Sequence, residues 1–201
     1  MTVPTSAQPL ARRADAQRSI AAILKAAVNA LSRDPDASVS DIAKAAGVGR
    51  VTLYGHFPNR ADLVEAALAH AIDQGHAALD AVDLVGDTRQ ALTRLIDSSW
   101  LLVNQSRALL LAAQAVLPPS RIRDLHAGPV ERVEGLVKRG QDDGAFRSDL
   151  STSWLVGVMH SVMHTAADEI NAGRLDPDQA AAFITATVLA AFTPPGRRVP
   201  A

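Results

Sequence analysis

The chain has 201 residues, with 20 Lys and Arg against 21 Asp and Glu, so its formal net charge is −1. This balance excludes a basic surface for nucleic acid over the whole chain, and the absence of cysteine excludes disulfides, thiolate nucleophiles and cysteine-ligated metal sites. The charge is nevertheless uneven: residues 1–60 carry eight basic and four acidic side chains, a net charge of +4, and the remaining 141 residues have a net charge of −5. A basic front on an acidic body is typical of a chain that meets a polyanion with one end.

Apolar residues recur at helical spacing and no β-branched alternation is sustained, which predicts an all-α fold of about nine helices. Residues 1–10 are expected to be disordered. Ser38 and Asn59 are N-cap residues, Gly47 ends one short helix, and Pro58 stops the next. The helices predicted in this front part span about residues 11–31, 39–46, 50–57 and 59–79.

Longer helices follow, and Gly128-Pro129 predicts a kink or break within the third of them. Their predicted spans are about residues 87–105, 107–117, 120–142, 152–171 and 176–192. The change from short to long helices predicts a helix-turn-helix domain at about 1–80, a helical-bundle domain at about 81–193, and a disordered tail at 194–201. Neither a secretory signal nor an apolar run of roughly 18 residues is found, so we expect a cytoplasmic protein without a membrane segment.

The two short helices around Gly47 form a helix-turn-helix pattern. Ala43 is small enough to let the second helix cross closely above the first, and Leu53 points to the buried side. The second helix then presents groups suited to DNA: Arg donates two bonds to guanine, Thr and Val methyl groups meet the thymine methyl, and Tyr and His reach phosphates. The candidate DNA contacts are Arg50, Val51, Thr52, Tyr54 and His56, with Ser40 in support.

Arg60 stands in the first turn of the next predicted helix. A positive charge beside exposed N–H groups is a natural phosphate clamp, and we expect Arg60 to contact the DNA backbone. Arg12, Arg13 and Arg18 fit a solvated helix face better than an arm for the minor groove.

The segment Ser38–Leu68 resembles the DNA-binding signature of the TetR family of bacterial repressors. The resemblance rests on Ile42-Ala43, Ala46-Gly47-Val48, Thr52-Leu53-Tyr54, His56-Phe57-Pro58 and Leu63. The segment Gly144–Asp149 is similar to the turn that this family places before its penultimate helix. Gly49, where the family usually has a Ser-like cap, and Gly55 depart from the pattern and leave the operator sequence unpredicted.

The resemblance implies a repressor that binds double-stranded, near-palindromic operator DNA as a homodimer formed by the last two helices. It also implies that the middle helices enclose a pocket whose small-molecule effector releases the DNA. Scarce aromatic residues favour an aliphatic-lined pocket for an apolar or weakly polar effector over a cage for an aromatic cation. The candidate pocket residues are Trp100, Asn104, Gln114, His126 and Trp154. No cofactor is implied.

His160, His164 and Asp168 are spaced i, i+4, i+8 and raise the alternative of a metal-responsive regulator on the same scaffold. The H-E-x-x-H motif of metalloproteases is not present, because no glutamate stands between the two histidines. The resemblance also implies that the family dimerises through this helix, so no metal site is predicted. A helical-bundle enzyme is the other alternative. The sequence offers no nucleophile–base pair, P-loop or GxSxG motif, so the chain is not expected to be an enzyme and no catalytic residue is predicted.

Overall fold

The computed structural model describes residues 7–196, except for the side chains of residues 7–12, 78 and 129. Over this range the chain folds into ten α-helices without a β-strand, as the apolar periodicity predicts. They are α1 (Ala7–Leu31), α2 (Val39–Ala45), α3 (Arg50–His56), α4 (Arg60–Asp80), α5 (Thr88–Gln105), α6 (Arg107–Val116), α7 (Pro119–Leu125), α8 (Ala127–Asp142), α9 (Thr152–Asn171) and α10 (Pro177–Phe192). The predicted tail beyond residue 196 and the predicted disorder of residues 1–6 lie outside the described residues.

The tenth helix arises because the span predicted at 120–142 is two helices, separated at His126. The break therefore falls two residues before Gly128. Pro129 is the third residue of α8, where its missing N–H removes no helical hydrogen bond. The predicted start of the first helix, at about residue 11, is also corrected. α1 already begins at Ala7, because Pro9 is accommodated within its first turn, so the disorder expected for residues 7–10 is not found.

Among the described residues, no helix combines the length and the apolar character that crossing a membrane requires.

The described residues divide into two compact units. The first contains the chain up to Ala71 together with Ala108–Ile122, and the second contains Ile72–Arg107 and the chain from Arg123 onward. Fully buried side chains in the first unit come from α1, α2, α3, α4 and α6: Ile23, Ala27, Leu31, Ile42, Leu53, Leu63, Val64, Ala67, Leu109 and Ala113.

The second unit has one apolar core built by α5, α8, α9 and α10. Its buried members include Leu92, Leu95, Ile96, Val137, Phe146, Leu155, Met159, Met163, Ile184, Val188 and Phe192. The rings of Phe146 and Phe192 meet edge to face, with centroids 5.4 Å apart and planes at 84°. Such pairs add to the stabilisation that burial of their area gives.

The turn between α8 and α9 is held by the side chain of Gln141. Its Nε2 donates to the carbonyl oxygens of Arg147 and Leu150, both at 2.9 Å, and its Oε1 accepts from the hydroxyl of Thr152 at 2.8 Å. Gly144 takes φ +70°, a conformation that glycine adopts without strain. Arg147 donates to both carboxylate oxygens of Asp149, and these bonds lower the pKa of Asp149. The segment that resembles a TetR-family turn is therefore an ordered corner.

Candidate DNA-binding site

The helix-turn-helix begins at a cap that the sequence predicts. The Ser38 Oγ accepts from the backbone N–H of Asp41 at 3.1 Å and donates to the Asp41 carboxylate at 2.6 Å. This hydroxyl satisfies one of the free N–H groups in the first turn of α2.

The turn between α2 and α3 depends on Gly47, whose φ is +69°. Its N–H donates to the Lys44 oxygen at 3.1 Å, and the next N–H, of Val48, donates to the Ala43 oxygen at 3.0 Å. This pair of bonds is the Schellman ending of a helix, which directs the chain sharply away from α2. Gly49 follows as the N-cap of α3 without a side-chain hydrogen bond.

The short helix α3 is anchored by two buried side chains one turn apart, Leu53 and Phe57. Its other side chains face outward: Val51 is 88% exposed and Tyr54 is 40% exposed. Arg50 and Thr52 are exposed as well, and His56 is half-buried. A helix of seven residues has little stability of its own, so the buried anchors determine which side chains it presents.

The predicted DNA contacts Arg50, Val51, Thr52 and Tyr54 are all exposed and stand within five consecutive residues of the chain. Ser40 is half-buried on α2. An exposed valine beside an exposed arginine and tyrosine has no packing role inside the first unit. Its position suits contact with an external apolar group such as a thymine methyl.

Arg60 takes a different position from the one expected of a free phosphate clamp. Its Nη1 donates to the Ala37 oxygen at 2.6 Å and its Nη2 to the Pro35 oxygen at 2.7 Å. Both acceptors lie in the loop between α1 and α2. Two of the five guanidinium N–H donors are therefore used within the first unit.

The five candidate pocket residues differ in burial and in the unit that contains them. Trp100 is half-buried against the core of the second unit, His126 is half-buried, and the Asn104 Oδ1 is buried without a hydrogen-bond partner. Gln114 is exposed and belongs to the first unit, because Leu109, Ala112 and Ala113 occupy the buried face of α6. Trp154 is 62% exposed, because Leu155, Val156 and Met159 take the buried face of α9.

Trp154 instead borders an open apolar groove of about 680 Å³ along α9 and α10. Phe183, 57% exposed, stands on the α10 side of the groove. The groove is lined mainly by apolar and small residues, among them Gly157, Val158, Ser161, Val162, Thr165 and Thr187. Phe183 was not among the predicted site residues, although the run Ala180–Phe192 is apolar around most of the helix, which indicates contacts on more than one face.

The described residues give no support to the alternative of a metal site at the histidines of α9. Among the described residues no three His, Asp or Glu side chains are placed to share a metal ion. Arg107 binds the Asp168 carboxylate through Nε and Nη2, so the third candidate ligand is already engaged. Burial, the charge of Arg107 and the proximity of His126 lower the pKa of His164.

Burial also lowers the pKa of His160 to about 4, with further contributions from His164 and His126. Because the unfolded imidazole titrates near 6.5, the unfolded state takes up the proton first as the pH falls. The stability linked to His160 is present above about pH 6.5 and is lost toward pH 4. We expect the free energy of unfolding to fall by about 2 kcal/mol between pH 7 and pH 5 from this residue.

Urea unfolding at a series of pH values, followed by circular dichroism, measures this loss. His160→Gln should flatten the pH dependence. Identical profiles for wild type and His160→Gln would contradict the assignment.

Comparison with known proteins agrees with this geometry. Residues 23–67, from α1 into α4, match the family described as bacterial regulatory proteins, tetR family. The HTH-type transcriptional repressor LfrR of Mycolicibacterium smegmatis is 41% identical over 83 residues, which cover 41% of this chain and 44% of the relative. The aligned part therefore spans less than half of that repressor.

Solved structures extend the likeness to most of the chain. The TetR-like regulator LfrR from Mycobacterium smegmatis, in complex with proflavine, has a TM-score of 0.70 and 26% identity, covering 88% of this chain and 97% of its own. A TetR-family regulator from Rhodococcus sp. shares the fold at TM-score 0.70 and 22% identity, covering 88% of this chain and 100% of its own. Residues 23–67 thus match the TetR family of bacterial regulatory proteins, and the chain is similar in fold to TetR-family regulators along most of its length.

Proposed function

We propose that this chain is a ligand-responsive transcriptional repressor that binds a near-palindromic operator as a homodimer in the cytoplasm. Residues of about 1–80 form its DNA-binding domain and residues 81–193 its effector and dimerisation domain. The observation that carries the proposal is the burial pattern of α3 and its C-cap. Leu53 and Phe57 are buried, while the side chains suited to DNA are exposed to solvent.

In this proposal α3 enters the major groove. Arg50 donates to a guanine edge, Val51 and Thr52 meet thymine methyl groups, and Tyr54 and His56 reach phosphates. Ser40 supports these contacts from α2, and Arg60 adds positive charge beside them. The similarity to LfrR, a transcriptional repressor, supports repression as the mode of regulation.

Dimerisation through α9 and α10 is supported by the open groove between them. Trp154 and Phe183 expose large apolar surfaces there. Exposed apolar area of this kind on a soluble chain marks an interaction site. A second copy, packing its own α9 and α10 on the same face, would bury both rings in an isologous interface.

The effector site is proposed for the second unit, around Trp100, Asn104 and His126. The buried Asn104 Oδ1 lacks a partner, and a buried acceptor is stabilised when a ligand supplies the missing donor. The solved LfrR structure contains proflavine, which supports a small-molecule effector for this chain too. Effector and operator then weaken each other's binding by the same factor.

Tyr54→Ala tests the DNA-reading part of the proposal. We expect operator affinity to fall at least tenfold, since the substitution removes both an exposed ring and a phosphate donor, with the melting temperature shifted by no more than a few degrees. Electrophoretic retardation of fragmented genomic DNA identifies a bound fragment, and titration of that fragment gives the affinity.

Tyr54→Phe is the matched control, because it keeps the ring and removes the hydroxyl alone. Unchanged affinity in Tyr54→Ala would contradict the assignment of α3 as the reading helix. A folded wild-type chain that retards no discrete fragment would contradict the proposed function as a whole.

A further inference from the structure

Arg60 joins two parts of the first unit that are distant in sequence. It begins α4, immediately after the corner Pro58-Asn59, and its guanidinium donates to the carbonyl oxygens of Pro35 and Ala37. The acceptors precede Arg60 by 25 and 23 residues, and the bonds are partly buried. This pair of hydrogen bonds, the Arg60 fork, therefore fixes the end of the loop between α1 and α2 to the start of α4.

This loop end determines where α2 begins. Ala37 stands directly before Ser38, whose hydroxyl caps α2 through the Asp41 N–H. The Ala37 N–H donates to the Asp34 oxygen at 3.1 Å, so the loop forms a closed turn where Arg60 contacts it. The other end of the motif, after α3, leads through Phe57 into the helix that Arg60 begins. Both ends of the helix-turn-helix are thus tied to one guanidinium.

The geometry requires arginine and not merely a positive charge. Two different nitrogens of one planar group reach two carbonyl oxygens at 2.6 and 2.7 Å. A lysine ammonium is a single point donor on a flexible stem and does not reproduce this fork. Among the described residues no carboxylate lies within ion-pair distance of Arg60, so what the side chain forms here is a link to the backbone.

We propose that Arg60 is a positioning residue for operator recognition, which holds the start of α2, and through it α3, in the orientation that reads DNA. The inference rests on the proposed function. A positioning role of Arg60 differs from a phosphate contact in a measurable way. A lost phosphate contact lowers affinity for every sequence and reduces the salt dependence of binding by about one counterion. A lost positioning contact weakens the specific site and leaves that salt dependence unchanged.

Arg60→Lys separates the two roles, because it keeps the charge and removes the fork. Fluorescence anisotropy measures DNA binding by wild type, Arg60→Lys and Lys25→Gln at several salt concentrations. Each chain is titrated against the retarded duplex, which is the DNA fragment that wild type retards in electrophoresis, and against a scrambled duplex of equal length. We expect Arg60→Lys to weaken binding to the retarded duplex about fivefold, with unchanged binding to the scrambled duplex and an unchanged salt slope. Lys25→Gln, which removes one charge from α1, should retain the preference for the retarded duplex.

Hydrogen exchange gives an independent readout. In Arg60→Lys the amides of the first turn of α2 should exchange faster than in wild type while those in the middle of α4 stay protected, which general unfolding would not produce. Wild-type affinity or wild-type exchange in Arg60→Lys would overturn the inference, as would equal weakening on both duplexes. Failure of the proposed function looks different, because the wild-type chain itself would then bind the two duplexes equally.

Discussion

Gly140→Ala is expected to destabilise the chain by about 3 kcal/mol and to lower its melting temperature by about 10 °C. A Cβ added at Gly140 would stand 2.1 Å from Cδ2 and 2.4 Å from Cε2 of Phe146. The ring cannot withdraw easily, because Phe146 is 1% exposed and packs edge to face on Phe192. Its backbone is held too: the Phe146 N–H donates to the Gly140 oxygen and the Arg147 N–H to the Phe192 oxygen, both at 2.8 Å.

Gly135→Ala on the same helix is the matched control. Nothing lies within 4 Å of a Cβ added there, so the substitution should raise stability by about 0.5–1 kcal/mol through helix propensity alone. Thermal and urea unfolding of the two variants, followed at 222 nm, give both values. Equal effects of the two substitutions would contradict the packing described around Phe146.

Phe183→Glu is expected to convert the proposed dimer into a monomer and to lower operator affinity about a hundredfold. The carboxylate would be desolvated wherever a second copy covered the groove, and Glu169 already contributes another acidic side chain to the lining. Two heads held in one dimer bind a palindrome far more tightly than separate heads, since the second contact becomes intramolecular. Sedimentation equilibrium and titration of the retarded duplex measure the two effects.

Val85→Glu introduces the same charge at another exposed apolar residue, which is 77% exposed outside the groove. It should leave both the mass in solution and the operator affinity unchanged. A Phe183→Glu chain that sediments as a dimer and binds DNA like wild type would show that the α9–α10 face is not the dimer interface.

Local signals explain why so much of the fold is predictable from this sequence. Ser38, Asp87 and Asp176 are N-caps with side-chain bonds in place, and Gly47 and Gly144 take the positive φ that their turns require. These features depend on a few neighbouring residues and on rules that hold in any fold. The same holds for the outward direction of Val51 and Tyr54, which follows from the anchors Leu53 and Phe57 one turn apart.

Features that depend on distant parts of the chain were not predictable in this way. Gln114 is a polar residue and Trp154 an aromatic residue, each in an amphipathic helix. Periodicity predicts the faces of such a helix but not which other elements pack against each face. The link from Arg60 to Pro35 and Ala37 joins residues more than twenty positions apart, and only the folded chain reveals it. Phe183 had a sequence signal, the apolar circumference of α10, but that signal does not distinguish a core residue from an interface residue.

Selection of random double-stranded DNA by the purified chain, followed by sequencing, shows whether this chain reads a DNA sequence. We expect enrichment of a near-palindrome whose half-sites are separated by about one or more helical turns, roughly 34 Å each, because two α3 helices related by a two-fold axis would read it. The Tyr54→Ala chain should enrich this sequence weakly. A folded wild-type chain that enriches no sequence at low salt would contradict the claim that α3 reads DNA.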